Sequence, residues 1–204
     1  MSEAWIIDGV RSPRGRGKPG VGSLSEIHPQ RIMAQVLNGL KDKVGFDPAD
    51  VEDFVAGNGS GTGDHAHDIA RMSVLDAGWP ITTPGVTLHR FCGSGQQAVT
   101  VAAQSIMAGH QDLVIGGGVE SMSRYAPNHT DGFTANNTHL FEQYPLIPQG
   151  ISADLIATIE GFSREDVDGY AVRSQERTQA SIEAGYFKNG LVPIYHADGR
   201  LALD

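Results

Sequence analysis

The residue best suited to chemistry in this chain is its one cysteine, Cys92. It follows a β-like run, Gly85-Val86-Thr87-Leu88, and opens the stretch Cys92-Gly93-Ser94-Gly95-Gln96-Gln97-Ala98-Val99, which continues as an uncharged helix-like segment to Gly109. A strand-to-helix junction brings a sulfur close to free backbone N–H groups at a helix N-terminus, where the nucleophilic thiolate is favoured. A free thiol of pKa near ~8.5 is only a few per cent ionised at neutral pH. Lowering that value by ~2 units takes about 2.7 kcal/mol. A helix terminus supplies ~0.3–1 kcal/mol, or up to ~2 in favourable geometry. The helix alone therefore falls short, and a basic partner such as a histidine is expected. His89 is near in sequence, but if the strand persisted to Phe91 the two side chains would tend toward opposite faces, which makes His89 a weak base candidate. On spacing alone, a nucleophilic Cys92 and a buried structural thiol are equally compatible with the pattern.

The elements that must position this cysteine alternate. Residues 4–8 and 51–56 are strand-like, as are the run before Cys92 and residues 113–116. Residues 27–44 carry Ile32, Val36, Leu37, Leu40 and Val44 at helical spacing, and residues 68–77 read as a helix stopped by Gly78 and Pro80. Strands separated by helices of this length predict βαβ units, a mainly parallel sheet and an α/β fold. The segment from Gly93 to Ala108 is small or apolar nearly all round, which predicts a helix between two layers. After Ser123 the character changes. Residues 124–150 read as irregular, with Pro127, Asn136, Asn137, Pro145 and Pro148. Ser163-Arg164-Glu165-Asp166 then forms a capping-box pattern opening a helix with Val167, Tyr170, Ala171, Ser174, Thr178 and Ile182 on one side, stopped at Gly185. The boundary is placed near Ser121, between residues 1–121 and a more helical region, 122–204.

Composition narrows the function classes. At 204 residues there is enough chain for a sizeable core. The apolar content of 40% and charged content of 19% are those of an ordinary globular protein. The net charge of −9 argues against nucleic acid as a main partner. A lone cysteine makes no internal disulfide, so nothing asks for an oxidising compartment. The N-terminus shows neither a basic region nor a long apolar stretch of signal-peptide type, and no apolar run reaches the ~18–20 residues of a membrane span, so a cytoplasmic location is expected.

The residues around Cys92 carry a family resemblance. His89-Arg90-Phe91-Cys92-Gly93-Ser94-Gly95-Gln96-Gln97-Ala98-Val99 resembles the nucleophile segment of thiolases. Gly116-Gly117-Gly118-Val119-Glu120-Ser121-Met122-Ser123 resembles their second N-terminal landmark, and Arg11-Ser12-Pro13 their opening motif. Gly161-Phe162-Ser163-Arg164-Glu165-Asp166-Val167-Asp168 and Ala184-Gly185-Tyr186-Phe187 are similar to segments of their helical loop domain. Several motifs in the right order over essentially the whole chain make the resemblance specific.

The resemblance implies a layered thiolase-like α/β fold, an N-terminal domain over 1–121, a partial CoA-binding loop domain over 122–204, and no C-terminal thiolase domain. It implies that Cys92 takes an acyl group from a 3-ketoacyl-CoA, releases acetyl-CoA, and passes the shortened acyl chain to CoA, or runs the reverse Claisen condensation, as in fatty acid metabolism. Such chemistry needs preorganised donors for the enolate and tetrahedral oxyanions. The backbone N–H of Cys92 would be one, with Gly93 and Gly95 keeping the approach to the sulfur unobstructed. Coenzyme A enters as co-substrate with no tightly bound cofactor and no metal, and a homodimer or homotetramer is implied.

The departures from the family pattern bear on activity. The family's second cysteine, its Gly-His-Pro histidine and its Asn-Glu-Ala-Phe segment are not among these residues, so the chain is expected to be an incomplete subunit, inactive alone. Asparagine is common where His89 stands. Short-chain members carry His-Met-Gly near Pro148-Gln149-Gly150, so Gln149 suggests a different acyl preference. Two other readings stand beside this one: a related ketoacyl-synthase-type condensing enzyme, and a non-catalytic binding or dimerisation module.

Other features have plainer readings. Asp64-His65-Ala66-His67-Asp68 could suggest a metal site, but a helix-start loop with solvated histidines is favoured, since a site would want a third placed ligand. The glycines of residues 57–63 lack a P-loop's Gly-Lys-Ser/Thr ending and read as turn and packing glycines. Gly116–Gly118 do not continue into a dinucleotide fingerprint. Arg11, Arg14, Arg16 and Lys18 read as a solvated loop, and Arg164, Arg173 and Arg177 receive no role.

Overall fold

The computed structural model describes residues 3–125, 137–144 and 146–204. Pro127, Asn136 and Pro145, expected in an irregular segment, lie outside the described residues. The chain divides into two compact units, Met1–His129 with Gly190–Asp204, and Thr130–Asn189.

The first unit is built on a parallel sheet. Helix α1 (Pro29–Val44) starts at His28, whose ring accepts the Gln30 N–H, has Pro29 in its first turn, and ends at Gly45 with φ of 84°. That is the pairing of N-terminal proline and C-terminal glycine a helix favours. Strand β1 (Asp53–Gly57) follows, then α2 (Ile69–Asp76), β2 (Val86–Leu88), α3 (Ser94–Met107) and β3 (Val114–Gly118). The strands lie in the order β2-β1-β3, all parallel. Val55 sits opposite Val86 on one side and Gly116 on the other.

Alternation along β1 sends its side chains to two faces. Phe54 and Ala56 enter the main core with Met33 and Leu37 of α1, Ala70 and Val74 of α2, and Trp79. Val55 turns the other way, against Ala98 and Ala102 of α3. Helix α2 is tied to the sheet through its cap: Asp68 accepts from the Arg71 N–H and the Thr87 hydroxyl, and that hydroxyl accepts from the Ala70 N–H.

The second unit, taken by itself, holds α4 (Thr138–Gln143), α5 (Gln149–Glu160) and α6 (Arg164–Glu183). The expected capping box is present: the Ser163 hydroxyl accepts the Asp166 N–H at 3.1 Å while the Asp166 carboxylate accepts the Ser163 N–H at 2.9 Å. Gly185, with φ of 72°, follows the helix end and donates to Ile182 O. After this unit the chain returns to the first. Leu191 bridges Arg11, and β4 (Ile194–Tyr195) pairs antiparallel with β5 (Leu201–Leu203). Ile194 is fully buried with Leu24, Ile27 and Ile32. Residues 190–204, which the boundary near Ser121 groups with the helical region, therefore pack in the first unit.

Four expectations are corrected. Residues 138–143, within the segment read as irregular, form helix α4, whose Asn137 cap accepts the Leu140 N–H. Residues 4–8 form no strand: Trp5, Ile6 and Ile7 are 78%, 86% and 70% exposed. An apolar run becomes a strand only where a neighbouring backbone takes up its N–H and C=O groups. Helix α3 is not enclosed on all sides; Ser94, Ala98 and Ala102 are buried, while Val99 and Met107 are exposed. And His65 is not solvated, as described below.

Candidate active site

Brought together at the carboxyl ends of the three strands are Asn58 after β1, the 89–93 turn after β2, and Val119-Glu120 after β3. Strand β1 lies between β2 and β3, with α2 against one face and α3 against the other. The crevice outside the carboxyl ends at such a reversal of strand order is where open α/β sheets bind ligands.

Cys92 stands at this end of the sheet, exposed, immediately before Gly93, the N-cap of α3. The strand stops at Leu88, and the chain turns through Phe91, whose φ is +47°. A bulky residue is rarely found in that left-handed region. The turn is closed by Gly93 N–H donating to Arg90 O at 3.0 Å and Ser94 N–H donating to Phe91 O at 3.1 Å. No side chain caps the helix, which leaves its first turn open to a group on the Cys92 side.

His89 is occupied elsewhere. Its Nδ1 accepts the Phe91 N–H at 3.4 Å, and its ring packs edge-on against Phe91 with centroids 4.9 Å apart. The Arg90 guanidinium donates to the Gln97 side chain one turn along α3.

Glycines bring the parts close. A Cβ on Gly57 would lie 2.3 Å from the Ser94 backbone carbon, and one on Gly116 would lie 2.8 Å from Val99 Cα. Gly57 and Gly116 thus let α3 sit directly on β1 and β3, so the 57–63 and 116–118 glycines are packing and turn residues.

Sequence reasoning missed a polar network behind the turn. Asn58, 2% exposed, donates to Val119 O at 2.8 Å and accepts from Gly61 N–H at 2.7 Å. The Glu120 carboxylate accepts the Gly59 N–H at 2.6 Å. His65 lies fully buried in the short 3-10 turn Gly63–His65, and its Nε2 accepts the Ser121 N–H at 2.9 Å. Burial pushes its pKa below the ordinary histidine value, against the opposing charges of Glu120 and Asp64. Tyr125 packs edge-on against the His65 ring at 5.7 Å. Its hydroxyl is pushed up to about 12, first by burial, then by the charge of Glu120 and a hydrogen bond to it, and last by the charge of Cys92. Asp64 is paired with Arg124, whose guanidinium also donates to Ser25 O at 2.9 Å. These contacts join the loop after β1 to the segment after β3. Among the described residues, no three His, Cys, Asp or Glu side chains are grouped to hold one. The one sequence signal for the network was Asn58 in a glycine-rich loop after a strand, an Asx-turn pattern.

Gln149 is the first residue of α5 and is exposed. Arg173 stacks over Tyr170 within α6 at 5.4 Å. Both belong to the second unit.

The family described as "Thiolase, N-terminal domain" matches residues 4–201. The chain belongs to the thiolase family. It is 38% identical to the steroid 3-ketoacyl-CoA thiolase of Mycobacterium tuberculosis over its whole length and 52% of that protein. It is 36% identical to the beta-ketoadipyl-CoA thiolase of Pseudomonas aeruginosa, over 94% of this chain and 51% of that one. The crystal structure of the Bacillus anthracis acetyl-CoA acetyltransferase superposes with a TM-score of 0.76 at 32% identity, covering 92% of this chain and 49% of the other. The fold is therefore the α/β fold of a thiolase, and this thiolase chain spans about half the length of these relatives.

Proposed function

We propose that this chain performs the acyl-accepting half of a thiolase reaction, with Cys92 as the nucleophile that carries the acyl group as a thioester. The observation that carries the reading is the exposed Cys92 placed against the uncapped start of α3, at the carboxyl ends of the sheet. The thiolate adds to the 3-keto carbonyl of a 3-ketoacyl-CoA; the tetrahedral oxyanion collapses with cleavage of the bond to C2, leaving acyl-Cys92 and the acetyl-CoA enolate. Protonation of that enolate gives acetyl-CoA, and attack by CoA on acyl-Cys92 releases the shortened acyl-CoA. The Cys92 N–H serves as one oxyanion donor.

Full turnover needs a proton donor and acceptor beside the sulfur. The second cysteine and the Gly-His-Pro histidine that the family resemblance implies for this task are not among the 204 residues, so we expect these residues alone not to sustain thiolysis. The relatives' names support acyl-CoA and CoA as substrates in fatty-acid-type metabolism. The proposal includes a homo-oligomer, a cytoplasmic location and a Gln149-dependent acyl preference. No helix among the described residues is long and apolar enough to cross a membrane.

The test is incubation with acetoacetyl-CoA followed by peptide mass spectrometry. An acetyl adduct is expected on Cys92, absent from Cys92→Ser and formed without multiple turnovers. No adduct on Cys92 would sink the nucleophile assignment, and sustained turnover would sink the expectation of incompleteness.

A further inference from the structure

Two residues beyond the nucleophile, Ser94 holds the strained turn from inside. Its hydroxyl donates to the Phe91 carbonyl at 2.6 Å and accepts the Arg90 N–H at 2.8 Å. Its own N–H donates to the same carbonyl at 3.1 Å. Ser94 is 4% exposed, and its backbone is fixed from the other side by Gly57, where no Cβ would fit. One residue thus bonds both ends of the 90–91 turn and grips one carbonyl twice.

That carbonyl belongs to the peptide whose nitrogen is Cys92's. The chain has no cis peptide among its described residues, and in a planar trans peptide the C=O and N–H point in opposite directions. Pinning the Phe91 carbonyl toward α3 therefore turns the Cys92 N–H away from it. Phe91, at φ of +47°, also donates its N–H to His89 Nδ1 at 3.4 Å, a bond on the far side of its Cα from the Cys92 peptide. Without the Ser94 hydroxyl the Phe91–Cys92 peptide keeps only the Ser94 N–H on its carbonyl and is freer to turn about ψ of Phe91 and φ of Cys92, and the N–H direction would be lost.

We infer that Ser94 is a positioning residue: its hydroxyl clamps the Phe91 carbonyl and thereby aims the Cys92 N–H as an oxyanion donor. The inference rests on the reading that Cys92 accepts an acyl group. Ser94 itself touches neither the acyl group nor the sulfur in this role; it acts through one peptide plane. Threonine keeps the hydroxyl at the same place, and alanine removes it, leaving the Arg90 N–H without this acceptor.

Two reagents applied to the full 204-residue chain separate positioning from general disruption. With p-nitrophenyl acetate, the Cys92 thiolate adds to the ester carbonyl, an oxyanion forms, and its collapse breaks the ester C–O bond and releases p-nitrophenolate. With iodoacetamide, the same thiolate forms a C–S bond and expels iodide, with no oxyanion. Rates are taken relative to Cys92→Ser. Ser94→Ala is expected to lower acylation about 100-fold, the scale for loss of one oxyanion donor, while alkylation stays within about threefold of the parent chain and Ser94→Thr regains most of the acylation. The inference is overturned if Ser94→Ala acylates as fast as the parent, if acylation and alkylation fall together, or if threonine does no better than alanine. The thiolase reading is tested apart from it: Ser94-dependent acylation by the ester with no adduct from acetoacetyl-CoA supports the clamp and overturns the substrate assignment.

Discussion

The Nε2 of His65 accepts the Ser121 N–H at 2.9 Å from a fully buried ring, which joins the loop after β1 to the segment after β3. An acceptor nitrogen must be unprotonated, and burial holds this pKa below the ordinary value near 6.5. In the window between the lowered folded value and ~6.5, the unfolded chain binds more protons than the folded one, so stability rises with pH there. The contribution is complete above ~6.5 and is lost as pH falls through the folded pKa. Urea unfolding at pH 7.5 and 5.5 checks this: the midpoint is expected to fall at the lower pH. In His65→Gln, which no longer titrates, the drop should shrink, and the variant should be about 1–3 kcal/mol less stable at pH 7.5. An equal drop in both chains would rule out His65 as its source.

The Asp64–Arg124 pair fixes the same region from the surface side. Arg124 bonds the Asp64 carboxylate through two nitrogens and the Ser25 carbonyl through a third. Planar recognition of this kind is not reproduced by a lysine. Both side chains are partly exposed, so screening limits the pair. Arg124→Met is expected to cost about 1–2 kcal/mol, and Arg124→Lys to recover less than half of it, measured by urea unfolding. Full recovery by lysine would show that charge alone matters.

What the sequence made legible, and what it did not, follows from the range of the forces involved. Helices α1, α2 and α6 were readable because their signals are local: the apolar spacing of 27–44, the Gly78 and Pro80 stop after 68–77, and the Ser163–Asp166 box. The place of Cys92 between a strand and a helix was readable because the glycine-flanked run after it starts a helix. Residues 4–8 were misread because strand formation depends on a partner backbone, which no local pattern reports. The left-handed Phe91 was invisible, since nothing about phenylalanine favours φ of +47°. His65 read as solvated beside Asp64 and Asp68, yet its ring is buried by contacts distant in sequence, Ser121 and Tyr125.

The α6 cap offers a test confined to the second unit. Ser163→Ala removes the hydroxyl acceptor of the Asp166 N–H. The expected cost is about 1 kcal/mol, seen as faster amide exchange in the first turn of α6. Ser163→Asp keeps an acceptor at the cap position and should exchange at close to the parent rate. If exchange at Asp166 is unchanged in Ser163→Ala, the box does not hold that helix end.

The seat of α3 rests on two glycines, and their replacement separates close packing from mere flexibility. A Cβ at Gly57 would stand 2.3 Å from the Ser94 carbonyl carbon and one at Gly116 2.8 Å from Val99 Cα, both against backbone that cannot rotate aside. The helix would have to lift from the sheet, pulling Ala98 and Ala102 from Val55. Overpacking of this sort costs typically ~1–3 kcal/mol, and Gly57→Ala and Gly116→Ala are expected at or above the upper end. Gly169→Ala is the contrast: it lies within α6 with open space where its Cβ would be, and there alanine should favour the helix by up to ~1 kcal/mol. Because Gly57 presses on Ser94 itself, Gly57→Ala should also slow acylation of Cys92 more than Gly116→Ala does at matched stability. Urea midpoints and ester acylation rates measured on the same preparations decide it. If the two variants lose acylation in proportion to their lost stability, the helix seat acts on folding alone and does not reach the nucleophile's turn.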